Sequence, residues 1–443
     1  MSTDTQRNPR PCALHAAVLA ALLGAAPGAQ ALRFDYDLSL GIEYTDNVGR
    51  RATAEEDELV LRPEVRVALT EQGERVNASV VGAASWRNYT RGVFDDELRT
   101  DLGARLDFAL IEGRLGWAVE DYLAEEPVDV FVSASPGNIQ RTNFFSTGPT
   151  LFLRFSPVLA GRAELRWQDT YAEIDRAFNS ERLQFALRAI RSLDQTTDLS
   201  GNVELARVRP DEPGLVTFDN DRVALYARWA REAARRSLSF DLGWSEVDFD
   251  GAEDSSGLLL RARGTWDPTE ASTIEFDLAR EYSDAAADLV LRAPTEDDLA
   301  RPVTAGPGFG IDITPDVFLD RRAGVGYTIR GERTQGVVRG EFRRQTYRQN
   351  PVLDRRTAGV GVGLDYQLSA TATLGAFASH YDQVALNSNF GSTETDAGLR
   401  LRYQARSNLW LVAEVARASR DADLPANEFT ETRAFIGVTL SRD

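Results

Sequence analysis

Arg33-Phe34-Asp35-Tyr36-Asp37-Leu38-Ser39-Leu40-Gly41-Ile42-Glu43-Tyr44-Thr45-Asp46-Asn47 decides the reading of this chain. Its even positions up to 44 are Phe, Tyr, Leu, Leu, Ile and Tyr; its odd positions are Arg, Asp, Asp, Ser, Gly and Glu. A period of two puts every apolar side chain on one face and every polar one on the other. Aromatics stand at both ends of the apolar stripe. That pattern suits a transmembrane β-strand with lipid on one side, a wet lumen on the other, and Phe and Tyr at the interfaces.

The stretch before it, 1–31, reads as a secretory signal. Arg7 and Arg10 precede a run of Ala, Leu, Val and Gly from Ala13 to Ala26, and Ala29-Gln30-Ala31 has the small-x-small form of a cleavage site. The run is short for a membrane span. Cys12 precedes it, which argues against lipidation, and cleavage would leave 32–443 as one domain without cysteine. An exported chain without disulfides needs another staple, and closed strand pairing supplies one. Removing the leader takes the formal charge from −18 to −19, so no nucleic-acid partner is expected. All fifty basic residues are Arg, which matches carboxylates bidentately and suits a charged lumen.

The alternation recurs downstream. In 58–70, Leu59, Leu61, Pro63, Val65, Val67 and Leu69 oppose Glu58, Arg62, Glu64 and Arg66; Pro63 is awkward there because it removes a ladder donor. In 96–110, Leu98, Leu102, Leu106, Phe108 and Leu110 oppose Glu97, Arg99, Asp101, Arg105 and Asp107. Further strands are expected at 75–89, 114–123, 143–155, 162–174, 181–191, 197–207, 220–230, 237–248, 257–266, 272–282, 317–329, 335–347, 356–368, 372–383, 394–404, 409–418 and 429–440. The pattern is weakest in 143–155, 335–347 and 372–383. Connectors alternate in length: 71–74, 111–113 and 369–371 are short, whereas 48–57, 124–142 and 283–316 are long. Short turns on one rim and long loops on the other are the outer-membrane pattern. The expectation is an all-β, up-and-down antiparallel barrel of twenty strands, with eighteen as the alternative, placed in a Gram-negative outer membrane. Soluble β-sandwich strands are usually shorter.

With these residues in hand the chain resembles a family. Tyr44-Thr45-Asp46-Asn47 at the outer end of the first strand, and Trp86-Arg87-Asn88-Tyr89 running to Phe94-Asp95-Asp96, look like outer-membrane β-barrel porins of the kind associated with exopolysaccharide or PEP-CTERM loci. One departure is the ending Leu440-Ser441-Arg442-Asp443, where barrels commonly carry a terminal aromatic; the nearest here is Phe435. The resemblance implies a porin-like passage for small solutes, or a component of surface polysaccharide export. Expected partners are outer-membrane lipid and lipopolysaccharide, the barrel-assembly machinery and, through the resemblance, polysaccharide-export components.

Chemistry-bearing motifs are sparse. His380 is the one histidine after the leader, so a barrel hydrolase would have to use it. With no cysteine and one histidine, neither a metal nor another cofactor is expected, and the chain does not read as an enzyme. Asp248, Asp250 and Gly251 begin like a calcium loop, but Leu259 stands where the bidentate Glu belongs. Gly306-Pro307-Gly308-Phe309-Gly310 reads as a loop tip. Glu55-Glu56-Asp57-Glu58, Asp95-Asp96-Glu97, Asp211-Glu212, Glu253-Asp254 and Glu296-Asp297-Asp298 read as a solvated acidic rim. The candidate lumen lining is Arg62, Glu64, Arg66, Arg99, Asp101, Arg105, Asp107, Glu164, Arg166, Arg261, Arg263, Glu275, Asp277, Arg400 and Arg402. Its signs are mixed, so pairing across strands is expected, which leaves either a polar channel or a plugged scaffold. In 283–316, Asp284 to Arg292 can form a short helix, and the apolar Leu289-Val290-Leu291 favours folding inward to narrow the lumen.

Overall fold

The computed structural model describes residues 32–212, 218–294, 310–388 and 390–442. The expected leader, 1–31, lies outside them, as do Glu296-Asp297-Asp298 and the glycine-rich tip up to Phe309. Twenty strands follow in order: β1 (Arg33–Thr45), β2 (Glu58–Gln72), β3 (Val76–Tyr89), β4 (Glu97–Ile111), β5 (Leu115–Pro127), β6 (Ile139–Ser156), β7 (Leu159–Ala172), β8 (Ser180–Ser192), β9 (Thr197–Pro210) and β10 (Asn220–Ala233). The second half runs β11 (Arg236–Phe249), β12 (Ser255–Thr269), β13 (Ser272–Ser283), β14 (Phe318–Arg330), β15 (Thr334–Tyr347), β16 (Arg355–Ser369), β17 (Ala372–Ala385), β18 (Gly391–Arg406), β19 (Leu409–Ala422) and β20 (Phe429–Arg442). Each pairs antiparallel with its sequence neighbour, and β20 pairs with β1, so the sheet closes. The three weakly patterned segments are strands too. β6 begins at Ile139, because Ile139 to Asn143 pair with Pro127 to Leu123 of β5 near the outer rim, where neither face meets lipid and the alternation fades.

The alternation has a physical reading. Leu40, Leu225, Leu242 and Ile436 are 57, 59, 59 and 66 % exposed, and they stand on the same outer face as Leu38, Leu61, Leu98 and Val325. Water would penalise such a surface at roughly 25 cal/mol per Å². Lipid removes that penalty. It is this apolar outer face of the strands that meets lipid; no described helix is long and apolar enough to cross a membrane. The molecule is a closed outer-membrane β-barrel, with both described ends on the short-turn rim. Pro63 is accommodated: it stands opposite Leu40 of β1, and towards β3 the ladder skips Arg62 and Pro63 before resuming at Glu64–Ser85.

The seam between β1 and β20 is specified by small residues. Gly41 faces Gly437 across it. A Cβ on Gly41 would stand 2.2 Å from the Phe435 ring, which fills the gap the two glycines leave. Arg62 stacks over that ring, its Cζ 5.2 Å from the centroid. At the outer end Asp46 accepts from Thr432 N at 2.6 Å, Thr45 donates to Glu431 at 2.7 Å, and Asn47 donates to Thr430 O at 3.1 Å. Thr45, Asp46 and Asn47, at the outer end of the first strand, are thus the latch of the barrel.

The buried apolar clusters sit towards the long-loop rim. One joins Phe144, Ala172 and Phe178 to Ala285, Ala286, Leu289, Ile311 and Ile313. Another joins Val48, Val60 and Tyr89, with Phe94 against them. The acidic rim also differs from the sequence expectation at Glu58, which is fully buried. Its carboxylate accepts from the backbone N–H groups of Leu59, Arg91 and Val93 and organises two outer loops. A run of four acids in sequence gave no sign that one of them turns inward.

Candidate passage and its constriction

Helix α1 (Ala285–Arg292) leaves the outer end of β13 and lies inside the barrel. Its formation is local. Asp284 is an N-cap whose Oδ1 accepts from Ala287 N at 2.9 Å, alanines fill the first turn, and Pro294 follows the last. Its position comes from distant strands. Asp284 Oδ2 accepts from Arg182 of β8 and, at 2.5 Å, from Arg222 of β10. Asp288 accepts from Arg343 of β15 at 2.7 Å, and Arg343 also donates to Asp320 of β14 at 2.7 Å. Leu289, Ala285 and Ala286 bury themselves against Phe144 and Phe178.

Beyond the helix, Pro294 reaches β4: a Cβ on Gly103 would stand 2.4 Å from its carbonyl oxygen, so this approach requires glycine. The chain is described again at Gly310, packed on Pro127 at the end of β5, and Ile311 N donates to Glu126 at 2.7 Å. It then returns to β14, with Asp312 accepting from the Tyr347 hydroxyl at 3.3 Å and Asp316 accepting from Gln349 and Asn350 N–H. The inward course expected of 283–316 is what the described residues take.

Charge in this segment follows its surroundings. Burial works against an ionised Asp284, but Arg182, Arg222 and the Ala287 N–H outweigh it and hold the carboxyl below its usual range. Asp312 is pushed up by burial, only partly offset by Arg355 and the Tyr347 hydroxyl. Asp316 is also raised by burial against the pull of its backbone donors.

A second loop closes in from β5–β6. Asn138 shapes it, accepting from Asp129 N at 2.9 Å and donating to Asp129 O at 2.8 Å. Its tip crosses to the far wall. Phe131 O accepts from Arg420 of β19 at 2.7 Å and from Asn427 at 3.2 Å, Val130 O accepts from Gln383 of β17 at 3.3 Å, and Ala134 O accepts from Arg50 at 3.3 Å.

The polar strand faces pair extensively. Arg62 reaches Glu43 at 3.2 Å and Glu64 at 3.0 Å, and Arg66 also meets Glu64. Arg99 holds Glu97 at 2.7 Å and Glu125 at 3.5 Å; Arg105 holds Asp107 at 3.0 Å and Glu120 at 3.2 Å. Glu164 meets Arg162 and, at 2.6 Å, Arg188. Arg261 binds Glu281 at 2.6 Å and Asp241 at 3.6 Å, Asp277 meets Arg322 at 3.3 Å, Glu275 meets Arg339 at 3.3 Å, and Arg400 meets Glu414 at 2.5 Å. Arg166 turns to Pro149 O and Thr150 Oγ1 at 2.7 and 2.6 Å, and Arg402 lies over the Trp410 ring at 5.0 Å. Asp101 and Arg263 make no ion pair among the described residues; each lines a recess beside α1.

Two larger spaces lie inside the barrel, the first against α1 and the second lined by strand residues of β4–β10 alone. One of about 770 Å³ is lined by Arg263, Asp277, Arg292, Arg322 and Glu341. The other, of about 520 Å³, is lined by Arg105, Glu164, Arg166, Gln168 and Asn202. Sequence reading missed the anchors Arg182, Arg222, Asp320 and Arg343. They lie on polar faces like many others, and only the three-dimensional path of α1 singles them out.

His380 does not assemble a hydrolytic site. It stands on the outer face, exposed, with Nδ1 2.9 Å from Thr395 Oγ1 on β18. Ser379, its neighbour, is buried on the opposite face, as the pleat requires.

No protein-family model matches the chain, and no curated protein matches it in sequence. Among solved structures it is similar to the ferric enterobactin receptor of Pseudomonas aeruginosa, at 11 % identity and a TM-score of 0.48 over 93 % of this chain and 80 % of that one. It is also similar to the FrpB iron transporter of Neisseria meningitidis, at 7 % identity and 0.45 over 94 % and 82 %. The siderophore receptor PirA of Pseudomonas aeruginosa follows at 10 % identity and 0.43 over 93 % and 80 %.

Proposed function

We propose that this outer-membrane barrel is a narrow, porin-like passage for small hydrophilic solutes, constricted by the segment that α1 opens. The supporting observation is the helix inside the lumen, tied at Asp284 to β8 and β10 and at Asp288 to β15. The space beside it and a second one among β4–β10 are lined by arginines and carboxylates, many of them paired. Such walls replace a solute's hydration without a strong preference for either sign of charge. In this reading Arg62, Glu64, Arg66, Arg99, Asp101, Arg105, Asp107, Glu164, Arg166, Arg261, Arg263, Glu275, Asp277, Arg400 and Arg402 face the solute.

The loop that reaches from Asn138 to Arg420 favours a second reading, a barrel shut at rest. A place beside surface polysaccharide rests on the resemblance in Tyr44 to Asn47 and Trp86 to Asp96 alone.

Single-channel conductance in planar bilayers separates these readings. Replacing 286–313 with a short Gly-Ser link is expected to raise conductance while heat-resistant migration on gels is kept. Unchanged conductance in the folded deletion removes the constriction. Silence in both proteins leaves the closed scaffold. Swelling of proteoliposomes in mono- and oligosaccharides then tests the polysaccharide reading, which needs entry of the longer chains.

A further inference from the structure

Four arginines stand side by side on the outside of the barrel. Arg280 of β13 is paired in register with Arg321 of β14, Arg321 with Arg344 of β15, and Arg344 with Arg356 of β16. Their parity is that of the exposed Leu278, Val325, Phe342 and Val360, so they face away from the lumen. Like charges directly opposite one another destabilise a sheet. Three such pairs in one row need a counter-charge from outside.

The chain supplies little of it. Arg356 reaches Asp382 at 3.5 Å, and Arg280 donates to the Leu258 carbonyl. Arg321 and Arg344 are exposed and have neither hydrogen bond nor ion pair among the described residues. Elsewhere on the outer face the signs are interleaved, as where Arg207 of β9 meets Asp221 of β10 at 3.6 Å or Arg141 meets Glu173 at 3.2 Å. The uniform row belongs to β13–β16.

Its height fixes the partner. The next row towards the membrane centre is Leu278, Ala323, Phe342 and Ala358. From Arg321 to Ile329, at the short-turn end of β14, a tilted strand rises about 20 Å, most of an apolar band. The arginines therefore sit where the apolar band ends on the long-loop side, the level of outer-leaflet headgroups. A guanidinium fork matches phosphate bidentately. We propose that Arg280, Arg321, Arg344 and Arg356 dock the bis-phosphorylated diglucosamine headgroup of an outer-leaflet lipopolysaccharide, whose acyl chains lie on the apolar column beneath. The row spans three inter-strand spacings, about 15 Å, enough to engage phosphates at both ends of a disaccharide.

The test uses the full chain in detergent, with bis-phosphorylated lipid A as the probe and native mass spectrometry as the readout. Phosphate-free lipid A and cardiolipin are the comparison ligands. Lipid A is expected to bind at least tenfold more tightly than either. R321Q/R344Q is expected to lose at least tenfold, and R321K/R344K less, because charge remains while the fork is gone. R417Q, an exposed outer-face change on β19, is expected to bind as the parent does. Should the double variant lose heat-resistant migration, the single changes carry the test at about threefold each. Undiminished binding by R321Q/R344Q overturns the site. So does equal affinity for phosphate-free lipid A. Equal affinity for cardiolipin reduces the row to a general anionic-lipid surface and overturns the assignment.

Discussion

Asp284 caps α1 with one carboxylate oxygen and bridges β8 and β10 with the other. Because its folded pKa lies below the unfolded value near 3.9, the stabilisation it gives is fully present above that value. It is lost only as pH falls through the depressed folded value. Wild-type conductance is therefore expected to be flat from pH 8 to 5 and to rise only below pH 4. Asp284→Asn is expected to show the raised conductance already at pH 7. A variant that stays as narrow as wild type at pH 7 would show that apolar packing alone holds the helix. At this scale the sequence was legible in part. Tyr44 to Asn47 stood out, but what those residues do became visible only once β20 lay beside them. Glu58 shows the limit: composition cannot separate a solvated carboxylate from one that collects three backbone donors.

Among elements, the strands were the legible part, since lipid and lumen impose opposite demands on successive residues. β4 supports a direct check. Leu102→Arg places a charge on the outer face near mid-strand and is expected to cost about 2–4 kcal/mol. Asp101→Asn on the inner face is expected to cost well under half of that, read by denaturant unfolding in bilayers. Similar losses would mean that the faces are reversed. The helix was legible as a helix, from Asp284 and the alanines, and its apolar Leu289-Val290-Leu291 patch pointed inward. Its anchors were not legible, because Arg182 and Arg222 lie 102 and 62 residues from the aspartate they hold. The same holds for the loop between β5 and β6, whose tip is fixed by Arg420, 289 residues from its acceptor.

For the whole molecule, connector parity together with alternation specified a closed up-and-down barrel, and the three faint strands follow from their neighbours: an antiparallel barrel cannot close with one missing. Charge is less evenly settled. The strand walls are largely paired, so selectivity should come from the acidic loops, within reach of the Debye length of about 10 Å at 0.1 M salt. A modest cation preference in reversal potentials is expected at 0.1 M and its disappearance at 1 M, where that length is about 3 Å. Anion preference at low salt would move the selecting charge to the arginines beside α1. The seam carries a consequence of another kind, in time. β1 and β20 share ten paired residues against thirteen for β1 and β2, and Thr45 and Glu431 lie 386 residues apart in the chain. Joining ends that distant costs about 3 kcal/mol more loop entropy than closing a hairpin of some twenty residues. Every hairpin can therefore form before the seam does, and the chain passes through a curled sheet with two bare edges. Bare edges recruit wrong partners. The interval between the last hairpin and the seam is when this chain is most prone to aggregate, and anything that shelters those edges must leave before Asp46 and Asn47 can reach Thr432 and Thr430.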